Sequence, residues 1–206
     1  MDAPPSLERW LAELAAHGER HDAAVDDPAR RLRNITPDTG RFLDVQVRAT
    51  GARRILEAGT SNGYSTLWLA RGARATGGRV TTVECDAERW TLARRHFAAA
   101  GVEALVDALH ADIGTVLADQ APASLDLIFL DADRERYLDW WPAIREALAP
   151  GGLLVVDNAL SHAEALAPFM ARVEADPAFT GCRVPVGKGE FLATRDRGAP
   201  REAGRG

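Results

Sequence analysis

Apolar positions along the chain repeat with two periods, and their alternation predicts the architecture. Short apolar runs stand at 53–57, 79–84, 103–110, 125–131 and 153–156, mostly bounded by glycine, proline or an acid, and they read as buried strands. Between them, apolar residues recur three and four apart. Examples are Leu7, Trp10, Leu11 and Leu14; Phe42, Leu43 and Val47; Trp90, Ala93 and Phe97; and Tyr137, Leu138, Trp141, Ile144 and Leu148. That spacing predicts helices, and shorter helical stretches follow at 64–72, 115–120 and 161–175. Strands alternating with helices imply a parallel sheet covered on both faces. The last two strands, 179–186 and 190–194, are joined only by Gly187-Lys188-Gly189. So short a link makes a hairpin and not a crossover, so the last strand is antiparallel. The predicted fold class is α/β: a doubly wound, seven-stranded, mostly parallel sheet.

Local punctuation refines the boundaries. Ser6 can cap the first helix, whose apolar stripe must pack on the domain's own flank or on a second subunit. The polar stretch 17–33, broken by Asp26, Asp27 and Pro28, reads as a lid or linker. Residues 1–34 are therefore expected to form a helical extension, 35–195 the main domain, and 196–206, rich in Arg, Gly and Pro, a disordered tail. Thr36-Pro37-Asp38 is a helix start, with a hydroxyl cap, proline in the first turn and then an acid; Gly51 ends that helix. The helix after Gly63 is expected to stop near Gly72, and Pro150-Gly151-Gly152 to form a sharp turn before the fifth strand.

Composition narrows the class. The 206 residues are 46% hydrophobic and 27% charged, a globular balance. The net charge of −5 offers no basic face, which argues against a nucleic-acid partner. Cys85 and Cys182 have neither metal nor redox spacing. No apolar run approaches the roughly 18 to 20 residues that span a bilayer, and the amino terminus lacks a signal pattern. The expectation is a cytoplasmic protein with no membrane partner.

The chemistry centres on 53–65, RRILEAGTSNGYS. A strand, a glycine turn and a helix in that order make a nucleotide-type pocket at the carboxyl edge of a parallel sheet. The spacing is Glu57-x-Gly59-x-x-x-Gly63, and Ser61 stands where the dinucleotide fingerprint wants its second glycine. Glu57 would repel a pyrophosphate but suits a cationic ligand such as S-adenosylmethionine, which carries a sulfonium and an ammonium. An ordinary tight turn is the alternative. Glu84 ends the second strand, 21 residues after Gly63, where a carboxylate can accept from both hydroxyls of a ribose. The competing role, capping the next helix, suits Asp86 better. Asp112 lies beyond the third strand, on the adenine side of such a pocket; His110 before it reads as a strand-end residue. Asp131 ends the fourth strand, and Asp157 and Asn158 end the fifth. Their three oxygens can converge on one hard cation, Mg²⁺ or Ca²⁺, leaving about three positions of an octahedral Mg²⁺ open. Two capping acids and an asparagine in a turn are the alternative.

Taken together, the segments ITPDTGRFL, ILEAGTSNGYSTLWLA, TTVECD, LIFLDADRERY and PGGLLVVDNAL resemble the cation-dependent class I O-methyltransferases of the catechol and caffeoyl-coenzyme A type, over roughly 35–194. The resemblance implies that Glu57, Gly59, Gly63 and Ser65 hold the methionine part of S-adenosylmethionine, that Ile35 contacts the cofactor, and that Glu84 and Asp112 hold ribose and adenine. It implies that Asp131, which also borders the cofactor, binds a divalent cation together with Asp157 and Asn158. It further implies a homodimer and a small-molecule methyl acceptor, a vicinal diol on an aromatic ring.

One departure stands out. Where the family reads aspartate-x-x-lysine, the lysine taking the acceptor's proton, this chain reads Asp131-Ala132-Asp133-Arg134. Arginine stays protonated and is a poor base. Asp133 and His162 are the alternatives, His162 by its ordinary pKa; a helix-start histidine is the competing reading. Arg134 itself would orient an anionic substrate or stabilise its oxyanion. Three rival functions remain at this level. The first is methyl transfer to nitrogen or carbon with a vestigial metal site, which Arg134 favours. The second is a cofactor-binding protein without transfer. The third, a nicotinamide oxidoreductase, is disfavoured by the glycine spacing.

Overall fold

The computed structural model describes residues 7–198. Its helices are α1 (Leu7–Ala24), α2 (Pro37–Thr50), α3 (Tyr64–Thr76), α4 (Ala87–Ala99), α5 (Ile113–Ala118), α6 (Tyr137–Ala147) and α7 (Ala163–Glu174). Its strands are β1 (Arg54–Ala58), β2 (Arg79–Glu84), β3 (Val106–His110), β4 (Leu125–Leu130), β5 (Leu148–Val156), β6 (Phe179–Val184) and β7 (Glu190–Arg195). They form one seven-stranded sheet in the order β3-β2-β1-β4-β5-β7-β6. β1 to β5 pair in parallel, and β7 runs antiparallel to both β5 and β6, as the short hairpin link requires.

The strand side chains alternate between two core layers, as a period of two dictates. Ile55, Leu127, Phe129, Leu153 and Val155 face the layer built with α1 to α4. Leu56, Ile128, Leu130, Leu154 and Val156 face the layer built with α5 to α7. Because the chain moves outward from β1 to β2 and β3, then returns to β4 on the other side, the crevice between β1 and β4 opens at their carboxyl ends.

Several boundaries differ from the sequence expectation for local reasons. α1 continues through the polar stretch to Ala24 while burying Leu7, Leu11, Leu14 and Gly18 on one side. That stripe joins the first core layer, so the chain's own flank receives it. The following segment is tied back, with Asp22 accepting from the backbone N–H of Leu32 (2.7 Å) and Arg33 (2.8 Å). The predicted Ser6 cap and most of the predicted tail lie outside the described residues. α3 passes through Gly72, where a Cβ would sit 2.7 Å from the Val47 Cβ, and ends at Gly77. Gly72 is thus a point of close helix approach and not a stop. β5 begins at Leu148, and its register against β4 shifts between Leu125 and Leu127, so the Pro150-Gly151-Gly152 stretch is absorbed into the strand as an irregularity. The Thr36, Asp86 and Gly51 caps stand as expected. Among the described residues, no helix is long and apolar enough to cross a membrane.

Candidate functional site

The turn after β1 is shaped by close approach. Gly59 has φ 95°, and a Cβ there would lie 2.2 Å from the Asp131 carbonyl oxygen, so a side chain would force the ends of β1 and β4 apart. At Gly63, φ 86°, a Cβ would lie 2.5 Å from the Phe97 ring of α4, and the residue opens α3 without a side-chain cap. Between them Ser61 is held at a positive φ: its N–H donates to Glu84 (2.8 Å) and its hydroxyl to the Leu32 carbonyl (2.8 Å).

Glu57 lies beneath this turn, fully buried. Thr66 and Thr82 both donate to its Oε2, whereas its Oε1 has no partner among the described residues. Burial raises its pKa to about 7, against the nearby hydroxyls of Ser65, Thr66 and Thr82 and with help from the Glu84 charge. A buried carboxylate oxygen without a donor is costly, and a ligand ammonium there would remove that cost. Glu84, also buried, accepts from Ser61 N and from Asp86 N (3.0 Å), leaving lone pairs for hydroxyl donors. Capping of α4 falls to Asp86, which accepts from Glu88 N and Arg89 N. Across the crevice Asp112 caps α5 through Thr115 N (2.9 Å). Gly114 leaves room for the Trp140 indole, over which Arg136 sits at 5.5 Å. Ile35 packs into the first core layer.

At the next strand ends, Asp131 N donates to Ala58 O and Asp157 N to Leu130 O, which aligns the two acids side by side. Asn158, at φ 68°, turns its amide onto both: Nδ2 donates to Asp157 (2.8 Å) and to Asp131 (3.2 Å). Asp157 Oδ1 is buried and has no partner among the described residues. Burial, reinforced by the Asp157 charge, pushes the Asp131 pKa up, and Arg134 and Lys188 oppose it. No group of three or more His, Cys, Asp or Glu side chains among the described residues has metal-holding geometry; the third expected ligand here is the asparagine, whose amide nitrogen faces both acids. The donor chemistry still fits a hard cation: two carboxylates, one orphaned oxygen, and an amide that offers oxygen when rotated half a turn.

Asp133 is exposed and caps the single turn at Arg134–Arg136 by accepting from Glu135 N (3.2 Å). His162 begins α7, with N–H donated to Asn158 O (2.9 Å) and Nδ1 3.0 Å from the Ser161 hydroxyl. Its pKa is lowered by burial and by the nearby Arg134, Lys188 and Arg33, against Asp157.

Residues 17–196 match the model of a family described as O-methyltransferase. The chain belongs to that family. The methyltransferase is 39% identical over 164 residues to the catechol O-methyltransferase of Mycobacterium tuberculosis, a match covering 76% of this chain and 73% of the relative. The O-methyltransferase TomG from Streptomyces achromogenes, solved with S-adenosylmethionine, superposes with a TM-score of 0.74 at 27% identity, covering 91% and 89% of the two chains. An O-methyltransferase from Bacillus cereus, solved with the demethylated cofactor, shares the fold at a TM-score of 0.71 and 24% identity, over 92% of this chain and all of that one. The protein is an S-adenosylmethionine-dependent O-methyltransferase, which selects oxygen over nitrogen or carbon as the methyl acceptor and sets aside the oxidoreductase.

Two further residues of the methyltransferase belong to this edge and were not singled out from sequence. Glu190, at the start of β7, is fully buried; its Oε1 accepts from Thr39 (3.0 Å), and its Oε2, like Asp157 Oδ1, has no partner among the described residues. Burial, reinforced by the Asp157 charge, raises its pKa. Lys188 sits in the β6–β7 turn, and its carbonyl accepts from Ser161 N (3.0 Å) and Leu160 N (3.3 Å). The signals were an acid inside the apolar run EFLAT and the one lysine of the chain.

Proposed function

We propose that this enzyme transfers the methyl group of S-adenosylmethionine to one hydroxyl of an aromatic vicinal diol, assisted by a divalent cation, Mg²⁺ or Ca²⁺. The observation that carries this reading is the unpartnered, buried Asp157 Oδ1 beside Asp131 and Asn158. The catechol O-methyltransferase named among the relatives supports the diol. Asp131, Asp157 and Asn158 would hold the cation, which when bound acidifies a diol hydroxyl and orients it.

The chain's own residues supply the rest. Glu57 meets the cofactor ammonium from below the glycine turn, Gly59 and Gly63 leave space for its backbone-side approach, Ser65 supports Glu57, Glu84 accepts from ribose hydroxyls, Asp112 stands at the adenine end, and Ile35 contacts the cofactor. His162 takes the hydroxyl proton: its lowered pKa keeps the imidazole neutral and able to accept. Asp133 orders the turn that presents Arg134.

One assay tests both parts. With catechol as acceptor, chelation is expected to lower turnover by at least about 100-fold and added Mg²⁺ to restore it; His162→Ala is expected to cost about 10² in kcat with Mg²⁺ present. Full turnover by chelated enzyme removes the cation, and an unchanged kcat in His162→Ala removes the base.

A further inference from the structure

The opposite edge of the sheet, at the amino ends of its strands, holds a groove of about 820 Å³. That lies within the roughly 300–1,000 Å³ of small-molecule sites. Its charged lining is four arginines, Arg53, Arg54, Arg79 and Arg197, against two aspartates, Asp107 and Asp126. The whole chain carries a net charge of −5, so this excess of cations is local. Arg53 and Arg54 lead into β1, Arg79 opens β2, and Arg197 follows β7. The Arg197 side chain lies across Gly151 of β5, where φ is 81° and a Cβ would stand 2.5 Å from the Arg197 Nε.

This arrangement costs the free protein energy. Arg54 and Arg79 are register partners across the β1–β2 pair, and like charges on paired residues destabilise a sheet. Asp126 offsets part of the repulsion, but its oxygens are already engaged by the Arg54 guanidinium and by the backbone N–H of Arg53 (3.0 Å) and Arg54 (2.9 Å). Arg53, Arg79, Arg197 and Asp107 enter none of the ion pairs among the described residues. Two of these guanidiniums are nonetheless held in place: Arg53 donates to the Gly77 carbonyl (3.3 Å) and Arg79 to the Ala104 carbonyl (2.6 Å). A guanidinium has five N–H donors, so each keeps others for a ligand.

We propose that this groove binds a small oligophosphate, a ligand whose phosphate groups are linked in a row. The sheet order here is β2-β1-β4-β5, with neighbouring strands about 4.8 Å apart. The cations are therefore spread along the edge and not gathered at one point. A single compact anion meets one or two of them, whereas a chain of phosphates meets the series, and the planar arginine fork matches phosphate oxygens two at a time. The site is separate from the methyl-transfer site, which occupies the carboxyl ends of the same strands.

The probes are tripolyphosphate, orthophosphate and citrate, with the demethylated cofactor present to fill the carboxyl-edge crevice and divalent cations left out because they chelate the probes. Titration calorimetry reads binding, and the thermal midpoint rises with any ligand that binds only the folded chain. Tripolyphosphate is expected to bind at a single site, about tenfold or more tighter than orthophosphate or citrate, and less tightly as salt is raised. Arg53→Gln and Arg197→Gln are each expected to weaken it by about tenfold while leaving methyl transfer unchanged. Arg172→Gln, the same charge change on α7, is expected to leave binding as it was. No saturable binding, citrate bound as tightly as tripolyphosphate, or an affinity untouched by Arg53→Gln and Arg197→Gln overturns the proposal. So does an equal loss in all three variants, which would be a response to net charge alone.

Discussion

Glu57 is the residue at which burial and charge conflict most directly. Its strand position and its neighbouring glycines made it legible in the sequence, as did the end-of-strand places of Glu84, Asp131, Asp157 and Asn158. Their environment was not legible, because it depends on side chains from other elements: Thr66 of α3 and Thr82 of β2 complete the Glu57 site. Glu190 shows the limit clearly. It meets Asp157 because β7 pairs antiparallel with β5 in a register that sets Val156 against Phe191, and register across a sheet is not written locally. The raised pKa of Glu57 has a defined consequence. Its folded value, about 7, lies above its ordinary 4.5, so the free protein holds this proton more tightly than the unfolded chain. The associated stability is full below about pH 4.5 and is lost as pH rises through about 7. Asp131 and Glu190 are shifted in the same direction. The thermal midpoint of ligand-free protein is therefore expected to fall between pH 5 and 7.5, and less so in Glu57→Gln. Affinity for the demethylated cofactor, which keeps the ammonium, should rise roughly tenfold over that window as Glu57 ionises. Differential scanning calorimetry and titration calorimetry check this; identical pH profiles for the two proteins would remove Glu57 from the account.

At the scale of elements, the caps at Thr36, Gly51 and Asp86 were readable because they act within a few residues, and they stand where the sequence placed them. Glycines inside helices were misread for the same local reason. Gly72 was taken as an end, but it accommodates Val47. Gly40 of α2 does the same for α3: a Cβ there would fall 2.2 Å from the Trp68 indole nitrogen. Tyr64 and Trp68 pack edge to face at 6.4 Å in this core. The α2–α3 contact matters to function because α3 opens directly from Gly63, at the glycine turn. Gly40→Ala is expected to destabilise by about 1–3 kcal/mol through overpacking, lowering the thermal midpoint by roughly 2–10 °C for a chain of this size. An unchanged midpoint would show that Trp68 has room to move.

For the whole molecule, the alternation of strand and helix predicts the class and most of the strand count, and the three-residue link between the last two strands predicts the antiparallel final strand. Which strand ends meet is a property of the strand order β3-β2-β1-β4-β5-β7-β6. That order sets the glycine turn of β1 beside Asp131 of β4, and Asp131 beside Asp157 and Asn158 of β5. It also brings the β6–β7 turn with Lys188 back over the loop that follows Asn158. One edge thereby joins an acid-lined cofactor crevice to an oxygen-donor cluster. The central claim is that this edge moves a methyl group onto a diol oxygen. The direct measurement is incubation of the protein with S-adenosylmethionine labelled in its methyl group, a catechol and Mg²⁺, followed by locating the label in the product. The account predicts a mono-O-methylated catechol carrying the label; a label on nitrogen or carbon, or labelled cofactor bound and never consumed across a panel of diols, would contradict it.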